Sequence, residues 1–261
     1  MSQDHAPGRT VKASHTAFGI VEALQELQGA GVSELAEHLG MANSTIYDHL
    51  ATLESMEYVV KDEEKVYRLS LKHLTHGMHA MNYYTDVIDE TKPILQRMAE
   101  RTDETVWFVV EEHGKTVYMY TTIGENPSTT PSRVGTRRPL HVTACGKAIM
   151  AHMPEERIAE ILDRYELAER TENTVTDPSK LEEELAEIRE CRYALNDEEL
   201  IPGLRAVAVP IVVDDLVVGA VGVSGPTNRM RGSVFREEFP ELMLGLANEV
   251  ELRLKYSNRQ F

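Results

Sequence analysis

Four groups of residues carry side chains that could do chemistry. Cys145 follows His141 by four residues in LHVTACGKA (residues 140–148), a thiol with a base nearby. Such a nucleophile needs the imidazole within hydrogen-bond reach and usually a third group to orient it, and no orienting partner stands out. The same stretch, Ala144 to Lys147, opens a helix. Unsatisfied N–H groups and the positive dipole end there suit a carboxylate or phosphate. The plainer alternative is a helix entrance with a surface lysine. At the start of another helix, Asn43, Ser44, Thr45, Tyr47, Asp48 and His49 gather polar and aromatic groups of the kind that reach base edges in a major groove. Finally, His73, His76 and His79 stand three apart on a helix. With no carboxylate or thiolate beside them they read as a solvated or dimer-facing stripe, and no metal site is expected.

The elements that position these groups follow from apolar spacing. From Gly31 to Tyr58 the chain carries two amphipathic stripes, Val32-Leu35-Leu39 and Ile46-Leu50-Leu53-Met56. Ser33 with Glu37 suits the start of the first helix, and Gly40 suits a left-handed stop. Asn43 or Ser44 suits the cap of the second. The four-residue turn forces a steep crossing, which is a helix-turn-helix. Alternating runs at 58–61 and 66–69 flank Asp62-Glu63-Glu64 and predict a hairpin wing, with Lys61, Lys65 and Arg68 placed for phosphates. A preceding helix runs from about His15 to Leu27, capped by Ser14, with Phe18, Val21, Leu24 and Leu27 inward.

Beyond the wing a helix from Leu71 links to a second region, and another spans about Thr85 to Arg101, interrupted by Pro93. Strands are expected at 105–113 and 116–123, joined at Gly114. A Pro/Gly/Ser/Thr-rich excursion covers 124–139. Short helices run to His152 and from Pro154 to about Tyr165. A charged helix begins at Asp177-Pro178, a cap with proline at the first position. Strands at 193–195, 206–213 and 217–224 precede a closing helix from about Val234 to Tyr256. Hairpins with segregated helices indicate an α+β class.

The chain has 261 residues with 42% hydrophobic content, enough for two ordinary domains and too apolar for a disordered chain. No apolar run approaches the roughly 20 residues of a membrane span, and the N-terminus has no signal-peptide h-region. No membrane partner is expected, and two scattered cysteines fit a reducing cytoplasm. The net charge of −16 conflicts with a generic nucleic-acid binder. Over residues 1–70 the bases are Arg9, Lys12, Lys61, Lys65 and Arg68. The acids are Asp4, Glu22, Glu26, Glu34, Glu37, Asp48, Glu54, Glu57, Asp62, Glu63 and Glu64. A salt-adapted (halophilic) source reconciles this, because at about 1 M salt the Debye length is near 3 Å. An ordinary acidic protein is the other reading.

The winged helix-turn-helix, the linker helix, LHVTACGKA (140–148), RYALNDEELIPGLR (192–205) and VSGPTNR (223–229) together resemble the IclR family of transcriptional regulators. The resemblance spans about Ser14 to Tyr256. It implies a GAF-like effector-binding domain behind the linker helix, dimers through the DNA-binding domains and pairing into tetramers, and a small-molecule effector such as an organic, sugar-derived or aromatic acid. Because one helix-turn-helix reads only a few base pairs, a two-fold dimer on a pseudo-palindromic double-stranded operator is expected. It places backbone donors at Ala144 and Cys145 and side chains at Asn196, Ala206, Gly222 and Ser224. His141, Thr143 and Gly146 belong to the same stretch. Family members commonly carry an acid, a thiol and a serine where this chain has Asn196, Ala206 and Gly222, so a different ligand is expected. Asp48 and His49 likewise stand where the family usually has a basic residue. The expected organisation is a flexible arm over 1–13, the winged helix-turn-helix over 14–70, the linker helix over 71–84 and the effector domain over 85–258. No cofactor is implied. Control of catabolic genes is the expected function, with a winged-helix protein-interaction module and a cysteine-dependent enzyme as alternatives.

Overall fold

The computed structural model describes residues 10–125 and 132–256, and the chain divides into two compact units after Tyr83. Residues 1–9 of the expected 1–13 arm, with Arg9, lie outside the described residues, as do 126–131 of the loop excursion and the last residues of the effector domain; Lys12 and Ala13 of that arm are already helical.

In the first unit, α1 (Lys12–Glu26) starts two residues before Ser14, which is therefore inside the helix and not its cap. Its buried residues are Thr16, Ile20, Ala23 and Leu24, while Phe18 is 69% exposed. Two apolar stripes share Leu24, and the helix buries the one that also contains Ile20. α2 (Val32–Leu39) follows Gly31, with no side-chain cap from Ser33, and buries Leu35 and Ala36. Gly40 has φ +63°, the left-handed stop that glycine adopts without strain. α3 (Asn43–Ser55) begins after Ala42, so Asn43 and Ser44 are its first helical residues rather than its caps. Ile46, Leu50 and Leu53 are buried against α1 and α2, and Met56 at the helix end is exposed.

The wing pairs β1 (Val59–Lys61) with β2 (Tyr67–Leu69) in antiparallel register, Val60 opposite Arg68. Asp62 Oδ1 accepts the N–H groups of Glu64 (3.0 Å) and Val66 (2.9 Å), which closes the turn. α4 (Lys72–Met81) buries none of its residues within this unit. His73 Nε2 lies 3.1 Å from the Tyr58 carbonyl, and the His76 ring stacks on Tyr58. Two of the three stripe histidines are thus packed on the wing's first residues.

The second unit is built on an antiparallel sheet of order β5-β4-β3-β8-β7-β6 among the described residues. Its strands are β3 (Thr105–Glu112), β4 (Lys115–Ile123), β5 (Arg137–Pro139), β6 (Ala194–Asp197), β7 (Leu204–Val213) and β8 (Leu216–Pro226). Asp214 and Asp215 both take positive φ between β7 and β8. α5 (Thr85–Thr102), continuous through Pro93, and α9 (Phe239–Tyr256) pack together on one face. A π-helical turn, Val234–Glu238, leads into α9. α6 (Ala144–Met150), α7 (Glu155–Arg164) and α8 (Pro178–Cys191) close the other face over Trp107, Val109, Ala208 and Ala220. Asp177 caps α8 through Ser179 N–H at 2.9 Å. Helices therefore cover both faces of the sheet, a three-layer version of the expected α+β arrangement.

Candidate recognition cleft and effector cavity

On the first unit, Asn43, Ser44, Tyr47 and Asp48 of α3 form one wall of an open cleft. The α2 start, with Ser33 and Glu34, and the wing, with Lys61, Glu64 and Lys65, form the others. Tyr47 is 55% exposed. The Lys61 ammonium sits 5.1 Å from the Tyr67 ring centre, and its interaction with the Tyr67 hydroxyl raises its pKa. The helical rotation of about 100° per residue sets Thr45 and His49 some 200° from Tyr47. His49 accordingly lines a different groove, with Phe18, Thr52 and Tyr58. Thr45, half-buried, is also absent from the cleft wall. Arg68 does not line the cleft either; its guanidinium pairs with Asp62 at 2.8 Å. The same cleft that holds Ser44 and Tyr47 thus carries three carboxylates, Glu34, Asp48 and Glu64, against two lysines.

In the second unit, Thr143, Ala144, Cys145, Asn196, Ala206, Gly222 and Ser224 line one small cavity. Its volume is about 50 Å³, far below the roughly 300–1,000 Å³ usual for a ligand pocket. Gly222 lies against Cys145: a Cβ there would sit 2.5 Å from Sγ, so any larger residue obliges the Cys145 side chain to move. Gly146 is not in the wall. It lets the chain turn back on itself, since a Cβ would meet the Leu140 carbonyl oxygen at 2.1 Å. His141 is also outside the wall; it is buried, with Nε2 3.2 Å from the Ala168 carbonyl. Burial lowers its pKa. The Cys145 thiol is pushed up to about 12 by burial, the reverse of a reactive thiolate.

The helix start is only partly satisfied from within. Thr143 Oγ1 accepts Gly146 N–H at 2.9 Å, leaving the amides of Ala144 and Cys145 in a first turn that has no intrahelical acceptors. Asn196 donates to the Val142 carbonyl at 2.9 Å and accepts from Glu199 N–H at 3.3 Å. Arg205 forks onto Asp197 (2.6 and 3.3 Å) and donates to the Met230 carbonyl. Residues absent from the sequence reading complete the wall: Trp107, Tyr118, Leu200, Ile201, Leu204 and Arg205. Trp107 Nε1 donates to Ser224 Oγ at 3.2 Å. Alternation along β3 places Trp107 and Val109 on the cavity side, a signal present in the sequence.

A winged helix-turn-helix with an exposed recognition helix, followed by a separate domain with a small cavity, is the build of a ligand-responsive DNA-binding transcriptional regulator. Residues 79–252 match the C-terminal domain of the bacterial transcriptional regulator IclR, and residues 17–63 match the IclR helix-turn-helix domain. The chain is 32% identical over 252 residues to a probable HTH-type transcriptional regulator, ArcR, of Halobacterium salinarum, covering 95% of each chain. It is 29% identical to the regulator KdgR of Escherichia coli, over 94% of this chain and 93% of that one. The crystal structure of the Thermotoga maritima IclR superposes with a TM-score of 0.73 at 30% identity, covering 93% of this chain and 98% of that one. The chain belongs to the IclR family of transcriptional regulators. Among the described residues no helix is long and apolar enough to cross a membrane.

Proposed function

We propose that this regulator reads a pseudo-palindromic duplex through Asn43, Ser44 and Tyr47 in the cytoplasm and controls catabolic genes in response to a small acid held in the Cys145 cavity. Residues 14–70 are the DNA-binding domain, 71–84 the linker and 85–258 the effector domain of this reading. Homodimers or homotetramers supply the two-fold symmetry that a pseudo-palindrome demands. The observation that carries the reading is the cleft in which the first turn of α3 and the wing lysines Lys61 and Lys65 share one concave surface. Thr45 and His49, on the far side of α3, and Arg68, paired with Asp62, stand outside this contact surface. In the cavity, the first-turn amides of Ala144 and Cys145 receive the acid group, with Thr143, Asn196, Ala206, Gly222 and Ser224 around it. His141 and Gly146 support that loop from behind. The acidic cleft fits work in a salt-rich cytoplasm. A cysteine-dependent enzyme is disfavoured, because a thiol pushed up to about 12 supplies little thiolate at neutral pH.

Selection from random duplexes at several KCl concentrations tests this. Enrichment of a pseudo-palindrome is expected, and a panel of small carboxylic acids should raise the melting point of the free protein and change its hold on the selected duplex. Failure to enrich any sequence at any salt would favour the protein-interaction module instead.

A further inference from the structure

Lys147 is fully buried, directly behind the turn that carries Ala144 and Cys145. Its ammonium bonds Glu199 at 2.7 and 3.0 Å and Glu184 of α8 at 2.5 Å. Glu199 is also buried, and burial raises its carboxyl pKa while Lys147 opposes the rise. Glu199 begins the segment that covers the cavity: Leu200, Ile201 and Leu204 are wall residues, whereas Pro202 and Gly203 between them are exposed. The base of the segment is held at several points. Thr174 Oγ1 donates to the Glu199 carbonyl at 2.7 Å, Thr171 Oγ1 to that of Glu198 at 2.8 Å, and Glu199 N–H reaches the wall residue Asn196. At its tip, Gly203 N–H bonds Oε2 of Glu198, the residue just before the segment, and Thr227 N–H bonds the Gly203 carbonyl. A cavity of about 50 Å³ admits only a few waters or a very small acid unless part of its wall moves.

We propose that Lys147 and Glu199 are positioning residues of the cavity: their buried ion pair clamps the 199–204 segment shut over Cys145, and releasing it opens the cavity while the domain stays folded. The inference rests on the reading of this cavity as the effector site only for its purpose; the clamp itself is a property of the apo chain. A buried charge whose partner is removed is strongly unfavourable, so the loop carrying Glu199 moves outward to hydrate the carboxylate. Lys147 is rooted in α6 and stays with the cavity floor. Glu184 then keeps a share of its charge neutralised.

Cys145 reports the opening, because its buried thiol reacts only when exposed. In the full chain carrying Cys191→Ser it is the single thiol. Its labelling by 4,4′-dithiodipyridine is measured across urea concentrations below the unfolding transition. Lys147→Met, which leaves the Glu199 carboxylate without its partner, should label at least tenfold faster than the parent without urea, and Glu199→Gln, in which Glu184 still pairs with Lys147, should label faster by a smaller factor. Both rates should be nearly flat in urea, the mark of local opening. Val250→Ala, which hollows the core beneath α9 on the other side of the sheet, lowers the unfolding midpoint. Its labelling should instead climb with urea along the global unfolding slope. Thr174→Val leaves both charges in place and removes the hydroxyl that donates to the Glu199 carbonyl and accepts the N–H groups of Arg170 and Thr171, so it stays measurable should the charge variants not fold. A several-fold rate increase, again flat in urea, is expected. Unchanged rates, or rates that climb as steeply as those of Val250→Ala, would overturn the clamp. Because no ligand enters the measurement, failure of every small acid to raise the melting point would count against the effector reading and leave the labelling result standing.

Discussion

Around Tyr47 and Ser44 the charged groups Glu34, Asp48, Glu64, Lys61 and Lys65 face an open cleft, whereas around Cys145 the polar atoms of Thr143, Asn196 and Arg205 are already bonded to the protein. The first surface keeps its donors and acceptors in water, ready to exchange them for a polymer that arrives with its own hydration and ions. The second holds its shape with them. Recognition in the cleft therefore depends on side-chain identity, and recognition in the cavity on backbone position and residual volume. Substitutions should sort the same way, with packing errors dominating in the cavity and chemical identity dominating in the cleft.

The largest effect is expected from Gly146→Ala. Its Cβ would press on the Leu140 backbone, which cannot move aside as a side chain would, so the second unit should lose about 3 kcal/mol. Gly40→Ala in the first unit meets open space and only a left-handed backbone, and should cost about 1 kcal/mol. Urea unfolding of the full chain followed by probes in each unit compares them, and equal losses would erase the contrast. Next comes Tyr47→Ala, which should weaken the selected duplex by about 1–3 kcal/mol while barely changing random DNA. Equal losses on both, by fluorescence anisotropy, would remove Tyr47 from base reading.

A smaller effect is expected from acid. Burial lowers the pKa of His141 and of His152 below the ordinary histidine value, so both rings are held neutral in the fold and take up protons on unfolding. Stability from these groups is unaffected above the ordinary histidine pKa of about 6.5 and falls progressively as pH drops beneath it. The melting transition of the second unit should move down between pH 7.5 and 5.5, and His141→Asn should flatten part of that slope. The smallest effect concerns salt. With few bases to displace condensed cations, affinity for the selected duplex should be flat or rise with KCl between roughly 0.5 and 2 M. Glu63→Gln with Glu64→Gln at the exposed wing turn should restore an ordinary fall. A parent slope as negative as that of a basic repressor would mean that the wing carboxylates play no part.

The helix-turn-helix was legible because each of its helices has one dominant apolar stripe and Gly40 marks the stop. α1 was not, because Leu24 belongs to two stripes and only the packing of α2 and α3 selects between them. Capping misled for a related reason: Ser33, Asn43 and Ser44 are good caps, yet the chain enters each helix one or two residues earlier, at Gly31 and Ala42. In the cavity, seven of the nine expected residues came together around Cys145. His141 and Gly146 support the loop instead, a distinction of facing that linear spacing does not encode. Lys147 departs most from the plainer alternative of a helix entrance with a surface lysine, since it is fully buried. It looked like a surface lysine because its partner Glu199 is 52 positions away in sequence, and no local pattern announces a pair at that separation.

The 2.5 Å approach of a would-be Cβ at position 222 to the sulfur of Cys145 means that these two positions share a single allotment of space across two elements far apart in the chain. Enlarging either one obliges the other side chain to move or shrink. A change of ligand that enlarges one of these positions is therefore expected to be accompanied by a change at the other, and relatives should show the two sites varying together.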